Sequence, residues 1–328
     1  LLAQEFITDG IYYILEHTDV TIDLVCNYGN HGRCHDAVTE LLTRDGWKTY
    51  DQLQVGDTVA TYCMSDGAVE WHPLQDVYVA QYNGPMVAVK TRSADFMVTP
   101  RHRMVVSSHD KPDEFIEMQE FVDRKTMGSY CWPKCALGGQ AEYQDVSDDE
   151  LRLLGWLITD GSYASQNGHR DVRIHQSKSV GVDQITVLLD RMGIDYTTHT
   201  RDRESPVICG VQVQTTLPET TFNLSRLHTS RLFKLLPDKR IIPGWMRDLS
   251  QRQFEIFLEG LLAGDGHVRE GERVLYGRRE ILDQIQELAV INGIPARVRE
   301  DNRGSYILSL PQSVRGYIND WDDSVSIL

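Results

Sequence analysis

With 328 residues the chain exceeds what one hydrophobic core usually serves, so two or more domains are expected. A hydrophobic fraction of 41% and a charged fraction of 25% exclude a disordered chain. No apolar run reaches the roughly 18 residues of a membrane span, so no membrane partner is expected. A formal net charge of −15 excludes a protein coated in positive charge for nucleic acid.

That average hides an asymmetry. Residues 1–145 hold 11 Lys and Arg against 22 Asp and Glu, whereas residues 146–328 hold 22 against 26. The second half can therefore gather its basic residues on one face, and nucleic-acid binding is expected there. The six cysteines show no disulfide-framework spacing, and no basic-then-apolar segment opens the chain, which fits a cytoplasmic protein with reduced thiols. "CWPKC" at 131–135 is a lone pair without a second pair of ligands, and buried or incidental thiols explain it more simply than a metal site.

In chain order, residues 1–28 read as a helix, "AQEFITDGIYYILEHT", followed by a buried strand, "TIDLVCNY", before "GNHGR" turns the chain. From Cys34 the texture changes to short β segments punctuated by turns. Asp45-Gly46, Asp66-Gly67 and Asn83-Gly84 mark hairpins or bends, so residues 34–145 read as an all-β module.

After the polar stretch "GGQAEYQDVSDDE" the pattern switches to helix. "SDDELRLLGWLITDG" starts from a Ser cap with an acidic first turn and runs to Asp160-Gly161. "LSQRQFEIFLEGLLAGDG" does the same from Ser250 to Asp265-Gly266, with Phe254, Phe257, Leu258, Leu261 and Leu262 on one apolar face. The following segments also align: Asp183, Gln184 and Ile185 fall on Asp283, Gln284 and Ile285, and Gly193-Ile194 on Gly293-Ile294. The offset is 100 there and 105 at the Asp-Gly pairs. Two copies of one α+β unit, differing in loop length, are the economical explanation, about 147–235 and 236–315.

Each copy opens with a helix carrying small residues four apart, Gly155 and Thr159 in one, Gly260 and Gly264 in the other. Small side chains at that spacing let two helices approach closely, so the two are expected to pack together. Each helix ends in an acid followed by glycine, the residue suited to a left-handed stop. Asp160 and Asp265 should then emerge side by side at helix C-termini, where a carboxylate costs about 0.3 to 1 kcal/mol against the dipole. A polar helix stop accounts for one such acid; two in equivalent positions point to a divalent cation, Mg²⁺ or Mn²⁺, held by hard oxygen ligands.

"LLGWLITDG" and "FLEGLLAGDG" resemble the two motifs of the LAGLIDADG homing endonucleases in their single-chain, two-repeat form. The resemblance implies an αββαββα-type pseudo-twofold fold, a monomeric enzyme, metal-dependent cleavage of double-stranded DNA by Asp160 and Asp265, and a helix interface at Gly155 and Gly260. Trp156 and Thr159 depart from the family pattern, so a looser helix contact is expected. "DKRIIPGW" resembles the Lys-containing block that precedes the second motif in intein-borne members, leaving Lys239 and Arg240 as alternatives for the basic group near the scissile phosphate.

"CHDAVTELLTRDGWKTYDQLQVGDTVATY" resembles the first block of an intein's Hint domain, and "VTPRHRMVV" its Thr-x-x-His block. On this resemblance Cys34 is the first intein residue, residues 1–33 are an N-extein segment acting in cis, His102 protonates the departing amide nitrogen and Thr99 helps hold the peptide. "GNHGR" resembles the metal-binding signature of calcineurin-like metallophosphoesterases through Asn30 and His31; a plain strand-to-loop turn accounts for the same residues. A complete intein ends in two further strands, a His-Asn pair and a C-extein nucleophile. "YINDWDDSVSIL" has none, so residues 316–328 are expected to be a tail, with the C-terminal intein segment and C-extein as missing partners. The implied setting is a bacterial or phage-infected cell, and the implied DNA partner is the host gene joined without the insertion. An endonuclease with a Hint remnant serving only to dock DNA, a host phosphoesterase carrying a passenger, and an RNA maturase are the alternative readings.

Overall fold

The computed structural model describes residues 34–328 except for 80–81, 91–94, 109–111, 124–129, 139–140, 167–168, 203–206, 209–210, 213–216, 270–271, 302–303, 313–314, 318–323 and 328. The helix and strand expected in residues 1–28, and Asn30 and His31, lie outside the described residues. The chain divides into two units: one runs to Ala136 and resumes at Ser313, and the other is Leu137–Gln312.

The first unit is built of short antiparallel strands. Strands β1 (Leu41–Thr43), β2 (Gly46–Lys48), β3 (Thr58–Tyr62) and β4 (Val69–Pro73) form one sheet in the order β2-β1-β3-β4. Both Asp-Gly turns close hairpins here, since Gly46 (φ 110°) and Gly67 (φ 75°) supply the positive φ that side chains resist. Asn83-Gly84 forms a bend, with Gly84 under the Tyr82 ring. Next come β5 (Val87–Lys90), β6 (Asp95–Val98), β7 (Arg103–Ser108), β8 (Glu114–Glu117), the short helix α1 (Met118–Asp123) and β9 (Tyr130–Pro133). Val87, Val89, Val98, Val106, Ile116, Met118, Phe121 and Trp132 form the core of this part, with alternate residues of β5 turned inward. A smaller core joins Leu53, Val59 and Leu74.

The second unit contains the repeat. Helix α2 (Asp148–Thr159) is followed by β10 (Gly161–Gln166), β11 (His169–Gln176), α3 (Ser179–Arg191), β12 (Tyr196–Arg201), the hairpin β13 (Val207–Ile208) and β14 (Val211–Gln212), then β15 (Glu219–Leu224) and α4 (Arg226–Leu235). A 3₁₀ turn at Gly244–Asp248 leads to α5 (Gln251–Asp265), β16 (Gly266–Arg269), β17 (Glu272–Gly277), α6 (Arg279–Ile291), β18 (Arg297–Glu300) and β19 (Tyr306–Leu310). The two sheets run β10-β11-β15-β12 and β16-β17-β19-β18, one order used twice, with β13 and β14 added in the first copy.

The register explains the changing offset. Gly161 pairs with Ile174 and Gly266 with Leu275, so these are equivalent positions. The first hairpin has strands of six and eight residues where the second has four and six. Two residues less on each strand, and one less in the turn to the next helix, reduce the offset from 105 to 100.

Both motif helices start as expected. Ser147 and Glu150, and Ser250 and Gln253, form reciprocal capping boxes. The expected left-handed stops are corrected: neither Gly161 nor Gly266 is among the positive-φ glycines, and Gly266 is extended at φ −106°. Glycine is required there for space. A Cβ on Gly266 would lie 2.5 Å from the Leu262 Cα, and one on Gly161 would meet the Leu157 Cα at 2.7 Å.

The expected tail is also corrected. Arg315–Tyr317 (β20) pairs with β9, and Ser324–Ile327 (β21) pairs along the whole of β5. These segments occupy open strand edges of the first unit, where backbone donors and acceptors would otherwise lack partners. Among the described residues no helix is long and apolar enough to cross a membrane.

Candidate functional site

Helices α2 and α5 pack backbone against backbone. A Cβ on Gly155 would lie 2.6 Å from the Leu261 nitrogen and 2.7 Å from the Gly260 Cα, so no other residue fits without moving a helix. Leu151, Leu154, Leu157, Leu258 and Leu261 are fully buried around this crossing, each worth about 1.5 to 3 kcal/mol. The expectation of a looser contact at the first motif is corrected. Trp156 is buried, and the Thr159 hydroxyl donates back to the Gly155 and Trp156 carbonyls at 3.2 and 3.3 Å. Gly264 opposite it leaves the room the Thr159 side chain needs.

This crossing delivers the two acids to one place. Asp160 caps α2 and Asp265 is the last residue of α5; a Cβ on Gly264, next to Asp265, would be 3.1 Å from the Asp160 Oδ2. Asp265 keeps a solvent-exposed edge, yet the protein around it displaces enough water to hold its carboxyl above the ordinary range, against the pull of Lys178 and Lys239. A divalent cation would relieve that penalty, and paired hard carboxylates are a donor set that suits Mg²⁺ or Mn²⁺. Among the described residues no three His, Cys, Asp or Glu side chains gather as a complete metal cage. Remaining ligand positions would fall to water and substrate oxygens.

Of the two basic alternatives, Lys239 reaches the site. Its Nζ donates to the Gly161 carbonyl and, at 3.4 Å, to that of Thr159, both at the end of α2. Burial pushes its pKa down, and the charges of Asp160 and Asp265 oppose that shift. Arg240 adds only a nearby charge; its backbone carbonyl accepts from Gln284.

Two further residues were not singled out in the sequence. Gln176, buried at the end of β11, donates from Nε2 to Asp160 Oδ2 at 2.9 Å, while its Oε1 accepts from the Ser177 and Lys178 backbone N–H groups at 2.8 Å. Lys178 donates to the Gly264 carbonyl at 3.2 Å. By register the position equivalent to Gln176 is Gly277, so the second copy offers Asp265 no matching amide. Aligning the copies at one fixed offset hides this, because the hairpins differ in length.

The sheet faces turned away from the helices carry the basic residues. In β11 the buried Val172 and Ile174 alternate with Arg173 and His175, which share a face with Thr221 and Asn223 of β15 and with Thr197, His199 and Arg201 of β12. His175 bridges Ser162 at 2.8 Å and Thr221 at 3.1 Å, and Arg201 grips the buried Glu219 at 2.8 Å. Burial lowers the pKa of His175, with Glu219 opposing. In the second sheet Arg297, Arg299, His267 and Tyr276 lie opposite the buried Leu275 and Leu308, with His267 stacked on Tyr276 at 5.4 Å.

In the first unit, the buried Cys34 lies beside Thr99. The Cys34 N–H donates to the Thr99 hydroxyl at 3.0 Å and the Thr99 N–H returns to the Cys34 carbonyl at 2.9 Å. The His102 N–H donates to the Thr99 carbonyl at 2.9 Å, and its ring meets that of His35 edge to face at 4.3 Å. Cys131 is buried and Cys135 half-buried.

Residues 149–216 and 255–315 match the family described as LAGLIDADG-like domain, one segment on each copy of the repeat. A curated relative, the ATP-dependent Clp protease proteolytic subunit of Chlamydomonas moewusii, is 22% identical over 297 residues, 80% of this chain. The chain spans 26% of that relative's length. Among solved structures, mesophilic variants of the homing endonuclease I-DmoI align over 52% of this chain and 91% of theirs at 16% identity and a TM-score of 0.36. I-DmoI in complex with DNA and Mn aligns over 50% and 89% at 16% identity and 0.35. Full-length WhiA from Thermatoga maritima aligns over 51% and 52% at 13% identity and 0.35.

Proposed function

We propose that the second unit is a site-specific, metal-dependent endonuclease for double-stranded DNA. The observation that carries this reading is the convergence of Asp160, Asp265 and Lys239 at the ends of two helices packed through Gly155 and Gly260. A divalent ion held by the two carboxylates would supply an activated water and a counter-charge for the leaving oxygen. Lys239 is placed to offset charge that develops on the phosphate, in a site where burial strengthens the interaction. Gln176 fixes the direction of the Asp160 carboxylate. The sheet faces bearing Arg173, Arg201, Arg297 and Arg299 hold the duplex through its phosphates, while His199, Asn223 and Tyr276 are candidates for contacts to base edges. The test uses a plasmid carrying the host gene joined without the insertion. Incubation in Mg²⁺ should give one linear product, and a plasmid left neither cut nor nicked in Mg²⁺ or Mn²⁺ overturns the reading.

A second reading concerns the first unit, and the reciprocal hydrogen bonds of Cys34 and Thr99 favour it. In it, residues 34–136 together with β20 and β21 form a Hint-type module that performs an N–S acyl shift. The Cys34 thiolate attacks the Arg33 carbonyl carbon, the bond from that carbon to the Cys34 nitrogen breaks, and His102 gives the nitrogen its proton. Thr99 holds the Cys34 N–H and so keeps the peptide in position. Added dithiothreitol should displace the Cys34 sulfur from the thioester and release residues 1–33, seen by mass spectrometry. Cys34→Ala should abolish release, and equal release from that variant rules the reading out.

A further inference from the structure

We propose that His35 is a positioning residue whose half-buried ring forms the wall that sets the plane of the His102 ring; the inference rests on the acyl-shift reading of the first unit. Three observations carry it. The rings of His35 and His102 lie 4.3 Å apart at 64°, the edge-to-face arrangement that aromatic quadrupoles favour. His35 is locked to the strand that carries the site: it bridges Val98, and the next residue, Asp36, donates its N–H to the Met97 carbonyl at 3.0 Å. Finally, the Nδ1 of His35 is buried and has no hydrogen-bond partner among the described residues.

A histidine placed only to fill space would more simply be a leucine, because a buried imidazole nitrogen without a partner costs free energy. The ring is retained at that cost against another ring. Burial also disfavours the charged form of His35, with Asp36 opposing, so the neighbour it offers His102 is an uncharged aromatic surface. General acid help to a departing amide depends on the donor being aimed within a few tenths of an ångström, so a loosened His102 should lose rate while the chain stays folded.

The test compares thiol-induced release of residues 1–33 from the full chain and from His35→Ala, His35→Leu and His35→Phe, with urea unfolding run on each. His35→Phe keeps a ring and should release within about threefold of the unsubstituted chain. His35→Leu keeps bulk without a ring and should slow, with His35→Ala, by on the order of tenfold or more, short of the roughly 10²- to 10⁴-fold worth of a general acid. Release from His35→Leu as fast as from His35→Phe, at similar urea midpoints, would reduce His35 to packing and overturn the inference. So would His35→Phe as slow as His35→Ala, or His35→Ala at full rate. No release from the unsubstituted chain overturns the acyl-shift reading itself, an outcome distinct from the others. An NMR cross-peak between the His35 and His102 ring protons checks the contact directly, and its absence from the folded chain also overturns the inference.

Discussion

Asp160 and Asp265 end helices at the unfavourable pole of the dipole, and they stand close enough for one ammonium, Lys239, to feel both. Removing either carboxylate should therefore spare the fold while stopping the chemistry. We expect Asp160→Asn and Asp265→Asn each to lose double-strand cleavage in Mg²⁺ while still retarding target DNA on a gel, with nicking as residual activity. Wild-type double-strand cleavage by Asp265→Asn would remove this site from consideration. The raised pKa of Asp265 gives a second expectation, in stability. The folded state takes up the proton more readily than the unfolded one, so this group's contribution is favourable at low pH and lost as pH rises through the raised value. In a metal-chelating buffer, Asp265→Asn should melt higher than the parent at pH 7. That gain should vanish below the ordinary carboxylate range, where both states are protonated; a gain independent of pH would show that burial of charge is not its cause.

At the scale of elements, the helix crossing and the helix caps make separate demands. Gly155→Ala drives a Cβ to within 2.6 Å of backbone on the opposite helix, and backbone cannot rotate away as a side chain can. A loss of about 1 to 3 kcal/mol or more is expected from overpacking. Gly193, by contrast, ends its helix at φ +63° with nothing within 4 Å of an added Cβ. Gly193→Ala should cost only about 1 kcal/mol, the conformational penalty alone. Chemical denaturation of both variants distinguishes the two causes, and equal losses would mean the crossing is less tight than its geometry. Ser147→Ala, which removes one half of a capping box, should cost about 1 kcal/mol.

For the whole molecule, a net charge of −15 and basic sheet faces make opposite predictions about DNA. The local arrangement decides, because screening over roughly 10 Å hides distant acids from a bound duplex. Affinity for the target duplex should fall steeply as salt rises from low to moderate concentration, since Lys and Arg contacts release counterions. A flat salt dependence in gel retardation would exclude these faces as the binding surface. Deleting residues 313–328 should lower the stability of the first unit, which loses β20 and β21, and leave the second unit's melting transition in place.

Much of the second unit was legible because its determinants are local. Capping residues, the spacing of small and apolar positions in α2 and α5, and the recurrence of Asp-Gly all act within a few turns of helix, and the match to the LAGLIDADG-like family falls on the same two segments. The spacing of small residues encodes the close approach at Gly155, whereas the absence of a left-handed φ at Gly161 and Gly266 follows from where the next strand leads. Lys239 and Arg240 are neighbours in sequence, and only the path of the chain between α4 and α5 decides which ammonium or guanidinium meets the carboxylates. Gln176 and Gly277 became equivalent only through strand register, and β20 and β21 found their partners more than 180 residues away in sequence at Trp132 and more than 230 away at Val89. Sequence by itself determined what periodicity, capping and turn chemistry encode within a window of neighbours. Tertiary structure decided every feature that depends on which distant strand edge or helix end comes to lie alongside, because such pairings are fixed by burial and backbone hydrogen bonding over the whole unit.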